Sequence, residues 1–284
     1  MIIELLNKFK KRFKNPEECK SEAEVTILPK IIHFNIVRLR QIIYHKHKLY
    51  ISMDCGIESL AKTFKTIRKG SRRNFTHEEI RGFMQDIMEG VHVLHMNFYI
   101  HSDIKPANIL RFQEKRLKLS DFGSAQLIDG SERENSYIGS RWYRAPEWVL
   151  GSLNYTQAVD IFSCGWVFAE FYIKEAIFQG NYSKEQFEEY CKILGTPEEE
   201  DWPEGYLLAD SEGYKIPYYR REDTVAERLS SLITGISPEA ADLLSKMLEM
   251  NPKRRITAEE ALNHEFFNEP SEREFPSEIE NAEI

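Results

Sequence analysis

His101-Ser-Asp103-Ile-Lys105-Pro-Ala-Asn108, followed by Asp121-Phe-Gly123, sets two carboxylates 18 residues apart with a lysine and an asparagine close behind the first. That set suits transfer of a nucleotide's terminal phosphoryl group to a hydroxyl. Such chemistry uses one acid near the incoming hydroxyl, a second acid and an amide oxygen on magnesium, and a cation on the moving phosphate. Asp103, Asp121, Asn108 and Lys105 are the candidates for those four parts. A lone Asp-Phe-Gly would mean little; the length of the joint pattern makes chance a poor account of it. The bland reading of Asp103 is a solvated loop carboxylate.

The elements that must hold these residues divide the chain in two. Up to about residue 55 it carries an apolar helical stripe (Val25, Ile27, Leu28, Ile31, Ile32) and two strand-like runs, Ile36 to Tyr44 and Lys48 to Met53, parted by the polar Lys46-His47 pair. Beyond Gly56 the periodicity is mainly helical. Phe83, Met84, Ile87, Val91 and Leu94 repeat at helical spacing and lead into the first acid. Ala158 to Tyr172 is nearly unbroken apolar and reads as a buried central helix. Pro238 to Met250 and Thr257 to His264 read as amphipathic helices, the second with Thr257 as cap and Glu260 three residues on. From Glu269 onward the acidic, proline-punctuated tail reads as disordered.

Composition narrows the class. The 284 residues are 42% apolar, enough for a core of one large or two modest domains. The 38 basic and 46 acidic residues give a net charge of −8, which speaks against a nucleic-acid partner. Cys19, Cys55, Cys164 and Cys191 lack metal-type spacing and read as free thiols in a reducing compartment, cytoplasmic or nuclear. No apolar run approaches the ~18 residues of a membrane span, so no membrane partner is expected.

The two acidic motifs resemble the catalytic loop and magnesium loop of eukaryotic protein kinases, Lys105 marking the serine/threonine type. Ser140-Arg-Trp-Tyr-Arg144-Ala-Pro-Glu147 resembles the end of the activation segment in the group containing cyclin-dependent, MAP and glycogen synthase kinases. The resemblance runs from about Glu24 to Phe267. It implies an α+β, bilobal, protein-kinase-like fold: a truncated strand-rich N-lobe over residues 1–55 and a large helical C-lobe over 56–268, before the tail at 269–284. It implies ATP and Mg2+ as cofactors, Asp103 and Lys105 as catalytic residues, and Asn108 and Asp121 as metal ligands. Glu24 matches the acid of the regulatory helix. Met53, Asp54 and Gly56 match the hinge, where relatives bind adenine through main-chain groups; a buried core methionine is a compatible reading of Met53. Asp160 resembles the acid bracing the catalytic loop, and Glu147 with Arg255 the ion pair of the large lobe. Ser136, Tyr137 and Ser140 are the activation-segment hydroxyls. Arg144, with Gly139, implies preference for protein substrates with Ser/Thr-Pro sites; its alternative is pairing with a segment phosphate. A regulatory subunit on the Glu24 helix and a cell-cycle or growth-control role follow at group level, although no distinct cyclin-recognition signature precedes Glu24.

Several positions depart from the group. The first glycine of the chain is Gly56, so no glycine-rich hairpin is seen. The lysine partner of Glu24 is also hard to find: family spacing puts Leu5 or Asn7 in its place, with Lys8 adjacent and Lys10 or Lys11 in reach of a bulged strand. Ser102 stands where an arginine ordinarily receives a loop phosphate, and Asn135 stands where the phosphorylated threonine would be. Phe34-Asn-Ile-Val-Arg-Leu-Arg40 and Asp121-Phe-Gly-Ser-Ala125 look most like glycogen synthase kinase 3, yet its three basic phosphate-reading positions match Pro16, Ser102 and Gln126. Leu194-Gly-Thr-Pro-Glu-Glu-Glu-Asp-Trp-Pro-Glu-Gly205 instead resembles cyclin-dependent and male germ cell-associated kinases. The expectation is an active serine/threonine kinase; a pseudokinase scaffold and a reading frame starting further upstream are its alternatives. The N-terminal Ile2, Ile3, Leu6, Phe9 and Phe13 are read as a strand remnant in preference to a membrane-surface helix.

Overall fold

In the computed structural model, described over residues 4–128 and 141–268, a small strand-rich lobe sits on a larger helical one. The small lobe consists of β1 (Glu4–Arg12), a short helix α1 (Ala23–Ile27), β2 (Leu39–His45) and β3 (Lys48–Asp54), with the antiparallel order β1-β3-β2. The N-terminal stretch is thus a strand, paired along β3. The β2–β3 hairpin turns on Lys46 and His47, both at positive φ, as a two-residue turn of the right twist requires. Neither residue favours that conformation. His47 Nδ1 lies 3.1 Å from the Phe13 carbonyl and 3.2 Å from the Tyr44 hydroxyl, within hydrogen-bonding distance of both.

The apolar stripe of residues 25–32 reads longer as a helix than it is. α1 lasts five residues and continues as one 3-10 turn, Leu28–Lys30. Pro29 has no N–H with which to extend an α-ladder. Ile27, Leu28 and Ile31 still reach the core, whereas Ile32 is left 53% exposed.

The large lobe opens with β4 (Glu58–Ser59), α2 (Leu60–Arg68), α3 (His77–Met96) and β5 (Tyr99–Ile100). Short strands β6 (Ile109–Arg111), β7 (Leu117–Leu119) and β8 (Gln126–Leu127) follow, β6 pairing with β4 and β7, and β8 with β5. Then come α4 (Pro146–Val149), α5 (Ala158–Ile173), α6 (Ser183–Leu194), α7 (Pro203–Ser211), α8 (Val225–Leu232), α9 (Pro238–Met247) and α10 (Ala258–Leu262). The periodic residues of α3 (Phe83, Met84, Ile87, Val91, Leu94) are all buried, and α5 is buried along nearly its whole length. At Gly165 a Cβ would come within 2.7 Å of Leu248, so only glycine lets α5 approach the end of α9 this closely. The Thr257 cap is reciprocal: Glu260 N–H donates to Thr257 Oγ1 (3.2 Å), and Thr257 N–H donates to Glu260 Oε2 (2.8 Å). The 269–284 tail lies outside the described residues. Among the described residues, no helix is long and apolar enough to cross a membrane.

One buried acid gives the large lobe a pH dependence. Glu170 of α5 accepts a 2.5 Å hydrogen bond from the Tyr143 hydroxyl, and Arg68 and Glu175 supply the nearby charges. Burial pushes its pKa from 4.5 up to about 7, and the Tyr143 bond offsets only part of that. A raised carboxyl pKa favours the fold in its protonated form. That stabilisation is complete below about pH 4.5 and is lost as pH rises through about 7. Glu170→Gln keeps an acceptor for Tyr143 without titrating. Its stability relative to wild type is therefore expected to improve by about 3 kcal/mol between pH 4.5 and 8, measured by urea unfolding at the two pH values. Parallel curves for the two proteins would refute it.

Candidate active site

The first acid is set by the end of α3 and the start of α5. Asp160, in the first turn of α5, accepts N–H bonds from His101 (2.8 Å) and Ser102 (2.9 Å) and lies 3.0 Å from His95 Nε2. Burial alone would raise its pKa; the His95 hydrogen bond and charge, with His101, hold it below the usual carboxylate range. One side chain thereby fixes the backbone that carries Asp103. Ser102 sits at φ 68°, and its hydroxyl is buried without a hydrogen-bond partner among the described residues.

Asp103 Oδ2 accepts from Lys105 Nζ (2.6 Å) and from Asn108 Nδ2 (2.9 Å), and Asn108 Nδ2 also reaches the Asp103 carbonyl (2.9 Å). With its nitrogen committed, Asn108 has its amide oxygen left for another role. The Asn108 carbonyl accepts both the N–H (2.9 Å) and the hydroxyl (2.8 Å) of Ser120. That bond ties the first motif to the second, because Ser120 precedes Asp121. Asp121 is exposed and takes the left-handed conformation (φ 62°, ψ 71°). An amide oxygen and a carboxylate on adjoining turns are the hard oxygen donors magnesium prefers, so this donor set fits that cation.

Glu24 of α1 faces the same turn. It is buried and accepts the Phe122 N–H; burial chiefly, and then the charge of Asp121, push its pKa up to about 7. Lys11, one of the lysines that could have met it, instead pairs with Glu22 at 3.1 Å. In the strand register Leu5 lies opposite Met53, Asn7 opposite Ile51 and Lys8 opposite Tyr50, with a register shift between Lys8 and Arg12. The bulge considered from the sequence is therefore present, but it does not bring Lys11 to Glu24.

Met53 is buried near the end of β3. The Asp54 carboxylate is held by Arg40 (2.8 Å) and Lys118 (3.0 Å), which outweigh the effect of burial and keep its pKa low. Its side chain is therefore committed to a structural ion cluster, which sequence reading did not foresee. Gly56 is required by close approach: a Cβ there would lie 2.8 Å from Leu110 Cβ.

At the far end of the activation segment Arg144 is buried, with its guanidinium over the Trp148 ring (5.3 Å) and its carbonyl accepting the Tyr190 hydroxyl (2.7 Å). Glu147 and Arg255 form a buried two-pronged ion pair (2.8 and 3.0 Å). Asn135, Ser136, Tyr137, Gly139 and Ser140 lie outside the described residues. Tyr155, which bonds Gln126, was missed from the sequence because nothing in its neighbourhood signals a partner 29 residues away.

Comparison with known proteins agrees with this geometry. The family described as "Protein kinase domain" matches residues 6–267. Cyclin-dependent kinase F-3 of Oryza sativa subsp. japonica is 36% identical over 94% of this chain and 59% of its own length. Serine/threonine-protein kinase MAK of Homo sapiens is 33% identical over 92% of this chain. The chain spans only 41% of that human kinase. Among solved structures, a chain of the yeast RNA Pol II CTD kinase CTDK-1 complex superposes with a TM-score of 0.82 at 27% identity, covering 94% of this chain and 86% of that one. The chain belongs to the protein kinase domain family, among the serine/threonine kinases of the group that includes the cyclin-dependent kinases.

Proposed function

We propose that this domain transfers the γ-phosphoryl group of ATP to serine or threonine hydroxyls of proteins, preferring sites followed by proline. The observation that carries the reading is the single hydrogen-bonded cluster of Asp103, Lys105 and Asn108, joined through Ser120 to Asp121. Magnesium-ATP, when bound, supplies the phosphoryl group and the cation that offsets its charge. Asn108 Oδ1 and the Asp121 carboxylate are the groups that would hold that cation. Asp103 orients the substrate hydroxyl and receives its proton as the oxygen attacks phosphorus and the bond to ADP breaks. The Lys105 ammonium, already 2.6 Å from Asp103, offsets charge on the group in transit. Main-chain groups of the 54–56 hinge take the adenine, beside Met53. The buried setting of Arg144 supports the proline preference, because a rigid side chain there can hold the segment backbone in one conformation. The likeness to a chain solved within a kinase complex supports a regulatory subunit as a partner, and the cyclin-dependent relatives support growth control as a setting.

A second reading, a pseudokinase that binds partners without transferring phosphate, draws on Glu24: it is buried with Phe122 N–H as its bond, while Lys11 turns to Glu22. One assay separates the two. ATP with Mg2+ should raise the melting temperature, and a Ser-Pro peptide should be phosphorylated with a kcat/KM about tenfold above its Ser-Ala counterpart. Absence of both nucleotide stabilisation and transfer would favour the scaffold; equal rates on the two peptides would remove the proline preference alone.

A further inference from the structure

The described residues flanking 129–140 meet on one side chain. Tyr155, in the loop before α5, is 3% exposed and donates its hydroxyl to Gln126 Oε1 at 2.9 Å. Gln126 opens β8, where the chain leaves the magnesium-loop motif. On the other side the Tyr155 ring stacks on Trp148 of α4, with centroids 4.9 Å apart and planes 26° from parallel. Trp148 in turn lies under the Arg144 guanidinium. Among the described residues, the two flanks of 129–140 are thus linked by a buried ring that hydrogen-bonds Gln126 and stacks on Trp148.

We infer that Tyr155 is a positioning residue that holds both ends of the activation segment in register through its hydrogen bond to Gln126 and its stacking on Trp148, so that the substrate-facing surface around Arg144 is formed without a phosphate on the segment. The inference rests on the kinase reading for its catalytic consequence, although the tether itself does not. Its support is chemical. Gln126 is neutral and already used as the acceptor of Tyr155, and Ser102 offers a short hydroxyl where a cation would be needed to receive a phosphate. Arg144 is placed through Trp148, and Trp148 through Tyr155; loosening that ring moves the residue expected to shape the peptide site. The nucleotide groups at the hinge and at Asp121 lie on other elements and should not respond.

The test uses the whole chain with Tyr155→Phe, Gln126→Leu and Gln126→Glu. Tyr155→Phe and Gln126→Leu are each expected to raise the peptide KM about fivefold while leaving the KM for ATP unchanged. Gln126→Glu keeps an oxygen for the Tyr155 hydroxyl and should behave as wild type. The double variant Tyr155→Phe/Gln126→Leu should be no worse than either alone. Wild type treated with phosphatase should keep its rate. Hydrogen exchange supplies a readout independent of transfer: the Ile128 amide, bonded to the Phe98 carbonyl at 2.7 Å, should exchange faster in Tyr155→Phe. The inference is overturned if both KM values rise together, if Gln126→Glu matches Gln126→Leu, or if dephosphorylation removes activity. Should wild type transfer no phosphate at all, the kinase reading fails by itself. Unchanged Ile128 exchange in Tyr155→Phe would then reject the tether, and faster exchange would uphold it.

Discussion

Asp103→Asn is expected to lower phosphoryl transfer by roughly a thousandfold while leaving the fold and ATP affinity in place. The substitution keeps the size of the side chain and the Asp103 carbonyl that Asn108 Nδ2 reaches. It removes the charge that Lys105 neutralises at 2.6 Å, and with it the carboxylate proposed to receive the substrate hydroxyl's proton. An amide oxygen can still orient that hydroxyl weakly but cannot take its proton. The loss should therefore appear in kcat, with little change in the melting-temperature rise produced by ATP and Mg2+. Steady-state rates on a Ser-Pro peptide beside a thermal-shift titration check both halves. A rate within tenfold of wild type would show that Asp103 is not the acid that matters. A lost nucleotide shift would mean the substitution had damaged the pocket instead.

How far the site was readable depends on how far apart its parts lie in sequence. Asp103, Lys105 and Asn108 fall within six residues, so their types and spacing alone located them, and the structure draws them into one hydrogen-bonded group. The helix α3 was legible because Phe83, Met84, Ile87, Val91 and Leu94 repeat at helical spacing, and α5 because its apolar run is nearly unbroken. α1 was not: its stripe continues past Pro29, and periodicity carries no information about a missing backbone donor. Asp54 read as a hinge residue through its main chain; that its carboxylate answers to Arg40 and to Lys118, 64 positions away, had no local signal. Tyr155 left no trace at all, because a buried hydroxyl and its acceptor on another element share no local pattern. The long-range pair Glu147 and Arg255 was visible only through resemblance to the family.

Arg255→Met is expected to produce the largest loss of stability of any single change considered, because of what it leaves behind. The guanidinium and the Glu147 carboxylate are 108 residues apart and both buried, bonded at 2.8 and 3.0 Å. Arg255 also donates to the carbonyls of Glu249, Met250 and Ala158 and lies 4.9 Å from the Phe162 ring centre, so it joins α4, α5 and the turn before α10. Methionine fills much of the volume but strands a carboxylate in the core, which typically costs about 3–5 kcal/mol. For a chain of this size that corresponds to a melting-temperature drop of about 10 °C. Adding Glu147→Leu to the same protein removes the stranded charge. The double variant should therefore recover part of the loss, because a buried ion pair contributes less by its presence than an unpaired member takes away. Melting curves of the two singles and the double decide the point. If the double falls by the sum of both singles, the cost lies in the carbonyls and ring that Arg255 serves, and not in the charge it balances.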